Sequence, residues 1–228
     1  MLEYQQQLIS LEDHYGGLQK GNVPCDHLSK IEGWTGSLKC TGGDRMAEKS
    51  PSHNYAPTYA NQLFRYHENI HVVAEVGILT GSGLAIWSTL YPKAQIHGFD
   101  MFLNNTLSNM ANLKSRGAFC SDNLHLHEMN QMKPGNTISK LGLKFDLVID
   151  DGYHDDKASW NTWEAFEPHM NADSVYIIED CECKDLRQRM GTVYPQYRIH
   201  FKKTSFTRGG SYLIVIRKRK SKTVNDDT

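Results

Sequence analysis

Acidic residues cluster at two points of the sequence where they could do chemistry. The first is the run Asp-Asp-Gly-Tyr-His at 150–154, and the second is the pair Glu179-Asp180. Asp151, Glu179 and Asp180 offer the oxygen ligands that Mg²⁺ prefers, and a cation would relieve the repulsion among crowded carboxylates. His154 has a side chain whose ordinary pKa lies near neutral, so it could accept a proton from a hydroxyl group bound to that ion. Taken singly, such runs are also typical of turns and helix caps, so the interpretation depends on their convergence.

A glycine-rich turn lies at 75–83, where the sequence reads Glu-Val-Gly-Ile-Leu-Thr-Gly-Ser-Gly. Its glycines allow a tight turn and a close approach of the backbone to a ligand at a helix N-terminus. Asp100 follows 23 residues after Gly77, at the end of the next predicted strand, where a carboxylate can bind both hydroxyls of a ribose. A dinucleotide-binding turn has the spacing Gly-x-Gly-x-x-Gly, and its third glycine is missing here. The pattern therefore indicates a ligand-binding turn of another kind.

These residues need a scaffold, and from residue 71 onward the sequence alternates between strand and helix patterns. The predicted strands cover 72–77, 95–100, 124–128, 145–150, 174–179, 197–201 and 211–217, and the predicted helices cover 82–90, 106–115, 134–141, 155–169 and 182–190. Unbroken apolar strands separated by helices predict a Rossmann-like α/β fold with a seven-stranded, mostly parallel sheet and helices on both faces. No helix separates the last two strands, which predicts an antiparallel C-terminal hairpin at one edge. In such a sheet the two acidic runs and the glycine turn meet at one rim.

The glycine turn resembles motif I of class I S-adenosylmethionine-dependent methyltransferases, in which Glu-x-Gly-x-x-x-Gly-x-Gly opens the first helix. The resemblance implies binding of a nucleoside with a methionine tail. It also implies that the residue after the third strand meets the adenine, which places Asn130 there. Relatives often carry Asp at this position, so Asn130 departs from their pattern.

A narrower resemblance covers residues 41 to about 185. The run at 150–154 resembles the Asp-Asp-Gly-Ser-His element of metal-dependent sugar O-methyltransferases that act on macrolide and related glycosides, and 178–180 resembles their Ile-Glu-Asp element. Residues 41–45 and 53–59 are similar to their Thr-Asp-Lys and His-Gly-Tyr-Thr-Pro-x-Tyr segments, and the same group contains cephalosporin hydroxylase-like proteins. The sequence departs from the pattern with Tyr153 in place of Ser and with Arg45 where Lys is expected after Asp44.

This resemblance implies that three carboxylates hold Mg²⁺, that a histidine is the general base, and that His53 and Tyr55 close over the methyl donor or the substrate. The predicted metal ligands are Asp151, Glu179 and Asp180, the predicted base is His154, and the predicted cofactor-binding residues are Glu75, Gly77, Gly81, Gly83, Asp100, Asn130, Asp150 and Tyr55.

The sequence thus predicts a Mg²⁺-dependent O-methyltransferase that uses S-adenosylmethionine and acts on a hydroxyl, with a sugar of a glycan or of a glycosylated metabolite as the expected acceptor. Three alternatives stay open: a catechol-type O-methyltransferase, a cephalosporin hydroxylase-like protein, and a catalytically silent module that binds the methyl donor. The acceptor is expected to be a small molecule or a glycan, and assembly into a homo-oligomer stays open.

Composition excludes several classes of protein. Hydrophobic residues make up 39% of the chain and charged residues 22%, with a net charge of −1, so neither a disordered chain nor a nucleic-acid-binding surface is expected. No apolar run approaches the roughly 20 residues of a membrane helix, and no secretory signal is visible, so we expect a soluble cytoplasmic protein.

The eleven histidines are scattered. The five cysteines (Cys25, Cys40, Cys120, Cys181 and Cys183) are expected to be reduced and to bind no metal.

The predicted organisation has three parts. Residues 1–70 form a cap or lid, 71–217 form the methyltransferase core, and 218–228 form a basic and then polar tail that is solvated. Within the core, Trp160, Trp163 and Phe166 share one helix face, and that face is expected to pack in the core.

Overall fold

The computed structural model describes residues 1–16, 45–46, 53–204 and 211–219. Its strands are β1 (Val72–Val76), β2 (Gln95–Asp100), β3 (Leu124–Glu128), β4 (Phe145–Asp150), β5 (Met170–Glu179), β6 (Tyr197–Lys203) and β7 (Tyr212–Lys218). Its α-helices are α1 (Leu2–Tyr15), α2 (Ala56–Leu63), α3 (Ser82–Leu90), α4 (Leu103–Ser115), α5 (Asp156–Phe166) and α6 (Lys184–Val193). Short 3-10 helices cover His67–Asn69, Ser139–Leu141 and Glu167–His169. None of the described helices is long and apolar enough to cross a membrane.

The strands form one seven-stranded sheet with the order β3-β2-β1-β4-β5-β7-β6. The first five strands run parallel, and β7 is antiparallel to both β5 and β6. This confirms the predicted Rossmann-like fold class and its antiparallel C-terminal hairpin. Val76 pairs with Asp150, and Asp150 pairs with Ile178. The residues that follow β1, β4 and β5 therefore leave the sheet at one level.

Helices cover both faces of the sheet and give it two apolar cores. On one face, Leu8 of α1, Tyr59 of α2 and Trp87 of α3 are fully buried. On the other face, Trp163 and Phe166 of α5 pack with Tyr176 and Met190. The prediction that Trp160, Trp163 and Phe166 belong to the core is confirmed, because none of them is more than 4% exposed.

Besides α2, which is not among the predicted helices, two helices differ from the sequence expectation. The predicted helix over 134–141 is wrong, since only Ser139–Leu141 forms a single 3-10 turn. Pro134 and Gly135, which has φ 60°, favour a turn at its start. The helix α1 was missed. Its buried residues are Tyr4, Leu8, Glu12 and Tyr15, and a charged Glu12 on the inner face hides the apolar spacing.

The expectation of reduced cysteines is wrong for one pair. Cys181 and Cys183 form a disulfide across a Cα–Cα distance of 5.1 Å. Asp180 has φ 53° and Cys183 has φ 41°, so the chain curls back immediately after β5 and turns the two side chains toward each other. Cys120 is free and exposed, whereas Cys25 and Cys40 lie outside the described residues.

Candidate active site

A cavity of about 710 Å³ opens at the carboxyl ends of the parallel strands. The glycine turn after β1, the end of β2, the segment after β3 and the segment after β4 all contribute to its lining. Such a cleft at the carboxyl edge of an open α/β sheet is where this architecture binds ligands. The structure therefore brings the glycine turn and both acidic runs to one cavity.

Two glycines of the turn are required by close packing. Gly77 has φ 83°, and a Cβ atom there would overlap the backbone of Asp151. A Cβ atom at Gly83 would overlap the carboxylate of Glu75 and the guanidinium of Arg45. Any larger residue at either position would push the turn away from the strands and charged groups that support it.

Asp100 stands on the cavity wall with its carboxylate fixed by the backbone. Its Oδ2 accepts a hydrogen bond from Leu79 N at 3.1 Å, and its Oδ1 accepts one from Phe102 N at 2.9 Å. Each oxygen keeps a lone pair for a ligand. Asn130 also lines the cavity and is exposed, with its Oδ1 accepting from Met132 N at 2.9 Å.

Glu75 is buried beneath the turn and lines the base of the cavity. Its Oε2 accepts from Trp87 Nε1 at 2.7 Å, and its Oε1 accepts from Arg45 at 3.1 Å. Burial raises the pKa of Glu75, and the positive charge of Arg45 opposes that rise. The carboxylate therefore forms part of a buried charge network that supports the turn.

Three of the predicted cofactor residues are not part of the cavity lining: Gly81, Asp150 and Tyr55. Gly81 caps α3 with φ 79°. Asp150 is 1% exposed and is held by Gln131 Nε2 and by Tyr176 OH at 3.3 Å. Burial raises the pKa of Asp150 to about 6, against the opposing effect of the Gln131 hydrogen bond. Direct contact of these three residues with a cofactor stays a prediction.

Gln131 was not singled out from the sequence, although it joins two loops. Besides donating to Asp150, it accepts from Tyr153 N through Oε1 at 2.7 Å. Its side chain therefore fixes the loop after β4 against the segment after β3. Gln131 lies three residues after the end of β3, and no signal in the sequence marks its role as a link between the two loops.

Asp151, His154 and Asp180 form the candidate metal group. One ligand atom from each lies within 4.8 Å of the others. Among the described residues, this is the set of three His, Cys, Asp or Glu side chains that meets this distance. His154 Nε2 lies 3.2 Å from Asp151 Oδ1. Asp180 is positioned from the other side, because Tyr55 OH donates to its Oδ1 at 2.5 Å and His53 Nε2 lies 3.1 Å from its Oδ2.

Glu179, the third predicted metal ligand, lies apart from this group. Its side chain is 0% exposed, Tyr59 OH donates to its Oε1, and its Oε2 lies 3.7 Å from Arg45. Burial raises the pKa of Glu179, with Arg45 opposing the rise. Its Oε2 has no hydrogen-bond donor among the described residues. The two carboxylates of Asp151 and Asp180, with this buried oxygen behind them, are an oxygen donor set that fits a divalent cation such as Mg²⁺.

Arg45 is the main functional-site residue that the sequence did not assign to this network. Its guanidinium is buried and lies 3.1 Å from Glu75 Oε1, 3.7 Å from Asp151 Oδ2 and 4.0 Å from Glu12 Oε2. Buried carboxylates require a counter-ion, and the resemblance already marked position 45 as unusual. Charge balance was therefore the signal that could have found it.

His154 is the most exposed member of the group of Asp151, His154 and Asp180. Its side chain is 41% exposed, and its backbone has φ 53°. Burial lowers the pKa of His154, but the hydrogen bond and charge of Asp151, with the charges of Asp180 and Asp150, outweigh it and raise the pKa above the ordinary value. The imidazole is therefore suited to accept and hold a proton at the mouth of the cavity.

No protein-family model matches the chain. The curated mycinamicin VI 2''-O-methyltransferase of Micromonospora griseorubida is 26% identical over 136 residues, which cover 56% of this chain and 31% of that protein. Demethylmacrocin O-methyltransferase of Streptomyces fradiae is 27% identical over 146 residues, covering 56% of this chain and 32% of that protein. The matched region thus spans about a third of the length of these two relatives.

Solved structures show the same fold. The MycE methyltransferase from the mycinamycin biosynthetic pathway, in complex with Mg, SAH and mycinamycin VI, matches with a TM-score of 0.54 at 17% identity. The match covers 76% of this chain and 52% of that one. The chain therefore has the Rossmann-like fold of that methyltransferase, and the two curated relatives that it matches are O-methyltransferases.

Proposed function

We propose that the protein is a metal-dependent O-methyltransferase that transfers the methyl group of S-adenosylmethionine to a sugar hydroxyl. The observation that carries the proposal is one cavity lined by the glycine turn, by Asp100 and by the group of Asp151, His154 and Asp180. The names of the curated relatives support an O-methyltransferase, and the solved complex with Mg, SAH and mycinamycin VI supports the cofactors and a glycosylated acceptor.

The methyl donor would lie along the glycine turn. Asp100 would accept hydrogen bonds from the ribose hydroxyls with the lone pairs left by Leu79 N and Phe102 N. Asn130 would hydrogen-bond the adenine edge, and the side chains of Phe99 and Met129, which line the same wall, would pack on the adenine ring. Gly77 and Gly83 let the turn pack directly against Asp151 and against Glu75 and Arg45, which fixes the backbone along which the methionine tail would lie.

Asp151 and Asp180 would hold the metal ion, with Glu179 behind them as the predicted third carboxylate. When bound, a divalent ion lowers the pKa of an acceptor hydroxyl and orients its oxygen. The N-terminal segment supports these ligands, since Tyr55 and Tyr59 donate hydrogen bonds to Asp180 and Glu179. These contacts support the proposed cap role of residues 1–70.

His154 would act as the general base. Because Nε2 faces Asp151 Oδ1, the proton of the acceptor hydroxyl would go to Nδ1 while the hydroxyl oxygen forms a bond to the methyl carbon. The sulfur–carbon bond of the donor breaks in the same step, so S-adenosylhomocysteine leaves and no oxidant or reductant is needed. Asp151 would stabilise the imidazolium through its contact at 3.2 Å.

Tyr153 supports a ring-shaped acceptor. Its side chain is 73% exposed at the cavity mouth, next to His154, where it can pack against the C–H face of a sugar. Met101 and Phe102 also line the cavity, and this apolar wall favours a catechol-type acceptor as the second candidate.

Calorimetric titration of S-adenosylmethionine, with Mg²⁺ and then with EDTA, tests donor binding first. We expect micromolar binding, followed by methyl transfer to hydroxylated sugars that EDTA abolishes. Asp151→Asn should abolish turnover and leave donor binding measurable, whereas His154→Ala should lower the rate by roughly 10²–10⁴. His200→Ala, at an exposed histidine outside the cavity, is the matched control. An absence of donor binding in both conditions would overturn the proposal.

A further inference from the structure

Three histidines that are scattered in the sequence meet on one face of the sheet. His97 belongs to β2, and His125 and His127 belong to the neighbouring strand β3. His97 pairs with His125, and Phe99 pairs with His127, in parallel register. Because side chains at i and i+2 of a strand point to the same face, all three imidazoles project on the side where α5 packs.

The rings are already in contact. His97 Nδ1 lies 3.0 Å from His127 Nε2, and His97 Nε2 lies 3.3 Å from Gln95 Oε1. The rings of His97 and His125 stack with centroids 4.7 Å apart. Two imidazole nitrogens at 3.0 Å are close to the separation that two ligands of one small cation adopt, given Zn–N bonds of about 2.0–2.1 Å.

The surroundings keep two of these imidazoles neutral, and neutral imidazole is the metal-binding form. Burial, helped by the charges of His125 and His127, lowers the pKa of His97 to about 4. Burial also lowers the pKa of His127. The aromatic rings of Phe99 and Phe145 contact the group, so His97 and His127 have an apolar wall behind them.

The group is open to solvent on one side. The segment between β3 and β4 contains only the short 3-10 turn Ser139–Leu141 where a helix was expected, and His125 is exposed. In the structure the ligand atoms of the three imidazoles do not all lie within 4.8 Å of one another, so the site requires a change in the side-chain rotamer of His125 that brings its ring nitrogen toward the pair formed by His97 and His127. An ion would then take the place of the proton shared between those two rings.

We propose that His97, His125 and His127 form a binding site for a divalent ion that prefers nitrogen ligands, such as Zn²⁺. Two histidines at i and i+2 on one strand and a third on its neighbour supply a three-imidazole set, and Zn²⁺ accepts such a set with water as the fourth ligand. This site is separate from the oxygen-rich group of Asp151 and Asp180, which lies at other strands, and it does not depend on the proposed methyl transfer. The bound ion would tie the edge strand β3 to β2.

Calorimetric titration with Zn²⁺ tests the site in an Asp151→Asn background, which weakens the other candidate group. We expect His125→Ala and His127→Ala each to lower the affinity of one Zn²⁺ site by at least about 10-fold. His200→Ala, at an exposed histidine on β6, should leave that affinity unchanged. His125 is exposed, so its variant keeps the fold, and thermal unfolding provides a second readout because bound Zn²⁺ raises the Tm. Equal Zn²⁺ affinity and equal Tm shifts for the parent, His125→Ala and His127→Ala would overturn the proposal, as would the absence of Zn²⁺ binding in the parent.

Discussion

Acidification should destabilise the fold through His97 alone by about 2 kcal/mol between about pH 7.5 and about pH 5.0. His97 is 4% exposed, and burial, with the nearby His125 and His127, lowers its pKa from 6.5 to about 4. In the unfolded chain His97 therefore binds a proton near pH 6.5, whereas in the folded chain it does not bind one until the pH falls to near 4. Stability from this group is present above pH 6.5 and is lost as the pH falls. At about pH 5.0 this difference in proton binding shifts the unfolding equilibrium about 30-fold toward the unfolded state, which corresponds to about 2 kcal/mol.

Urea unfolding followed by tryptophan fluorescence, in EDTA, measures this effect. The wild type and His97→Gln are compared at both pH values, because buried Glu75 and Asp150 have raised pKa values and shift stability in the opposite direction in both proteins. The stability advantage of the wild type over His97→Gln should shrink by about 2 kcal/mol at the lower pH. His200→Gln, at an exposed histidine, should follow the wild type. The reasoning would be refuted if the free energy of unfolding of the wild type exceeded that of His97→Gln by the same amount at both pH values.

Three further predictions concern the supports of the site and the core. Gly83→Ala places a methyl group on the Glu75 carboxylate and on Arg45, so calorimetry should show donor binding weakened by at least about 10-fold, whereas an unchanged affinity would contradict the packing argument. Arg45→Met leaves buried carboxylates without their counter-ion and should cost about 3–5 kcal/mol in urea unfolding, and adding Glu75→Gln should recover part of that loss. Trp163→Ala opens a cavity in the core under α5 and should lower the free energy of unfolding by about 3–5 kcal/mol, and a loss below about 1 kcal/mol would show that the site collapses.

The sheet was predictable because its strands are short apolar runs that end in turn residues. The bounds of β2, β3 and β4 agree with those predicted, and the carboxyl ends of β4 and β5 carry the acidic runs to one rim. The inner side of α1 was not predictable from apolar spacing, since Glu12 occupies a buried position. The helix over 134–141 was wrong because local turn chemistry at Pro134 and Gly135 prevailed.

The directions of the acidic side chains follow from strand alternation. Glu179 shares the β5 face with Val175 and Ile177, which places it under α2 beside Tyr59 and Arg45. Asp180 lies beyond the strand end and has φ 53°, so it turns to the cavity instead. Alternation could therefore have separated the two neighbouring carboxylates before the structure was known. The counter-ion Arg45 comes from a distant segment, and no local pattern positions it.

The position of β7 has a consequence for synthesis of the chain on the ribosome. This strand is the last of the described strands in sequence, yet it lies between β5 and β6 and hydrogen-bonds to both. Until Tyr212–Lys218 has left the exit tunnel, the apolar edge of β5 has no partner on that side, and β6 has no neighbour in the sheet. A nascent chain arrested before residue 212 would therefore expose the unpaired edge of β5 next to Glu179. Unpaired strand edges form hydrogen bonds with strands of other chains and so lead to aggregation. The acidic rim would form late, as the sheet closes.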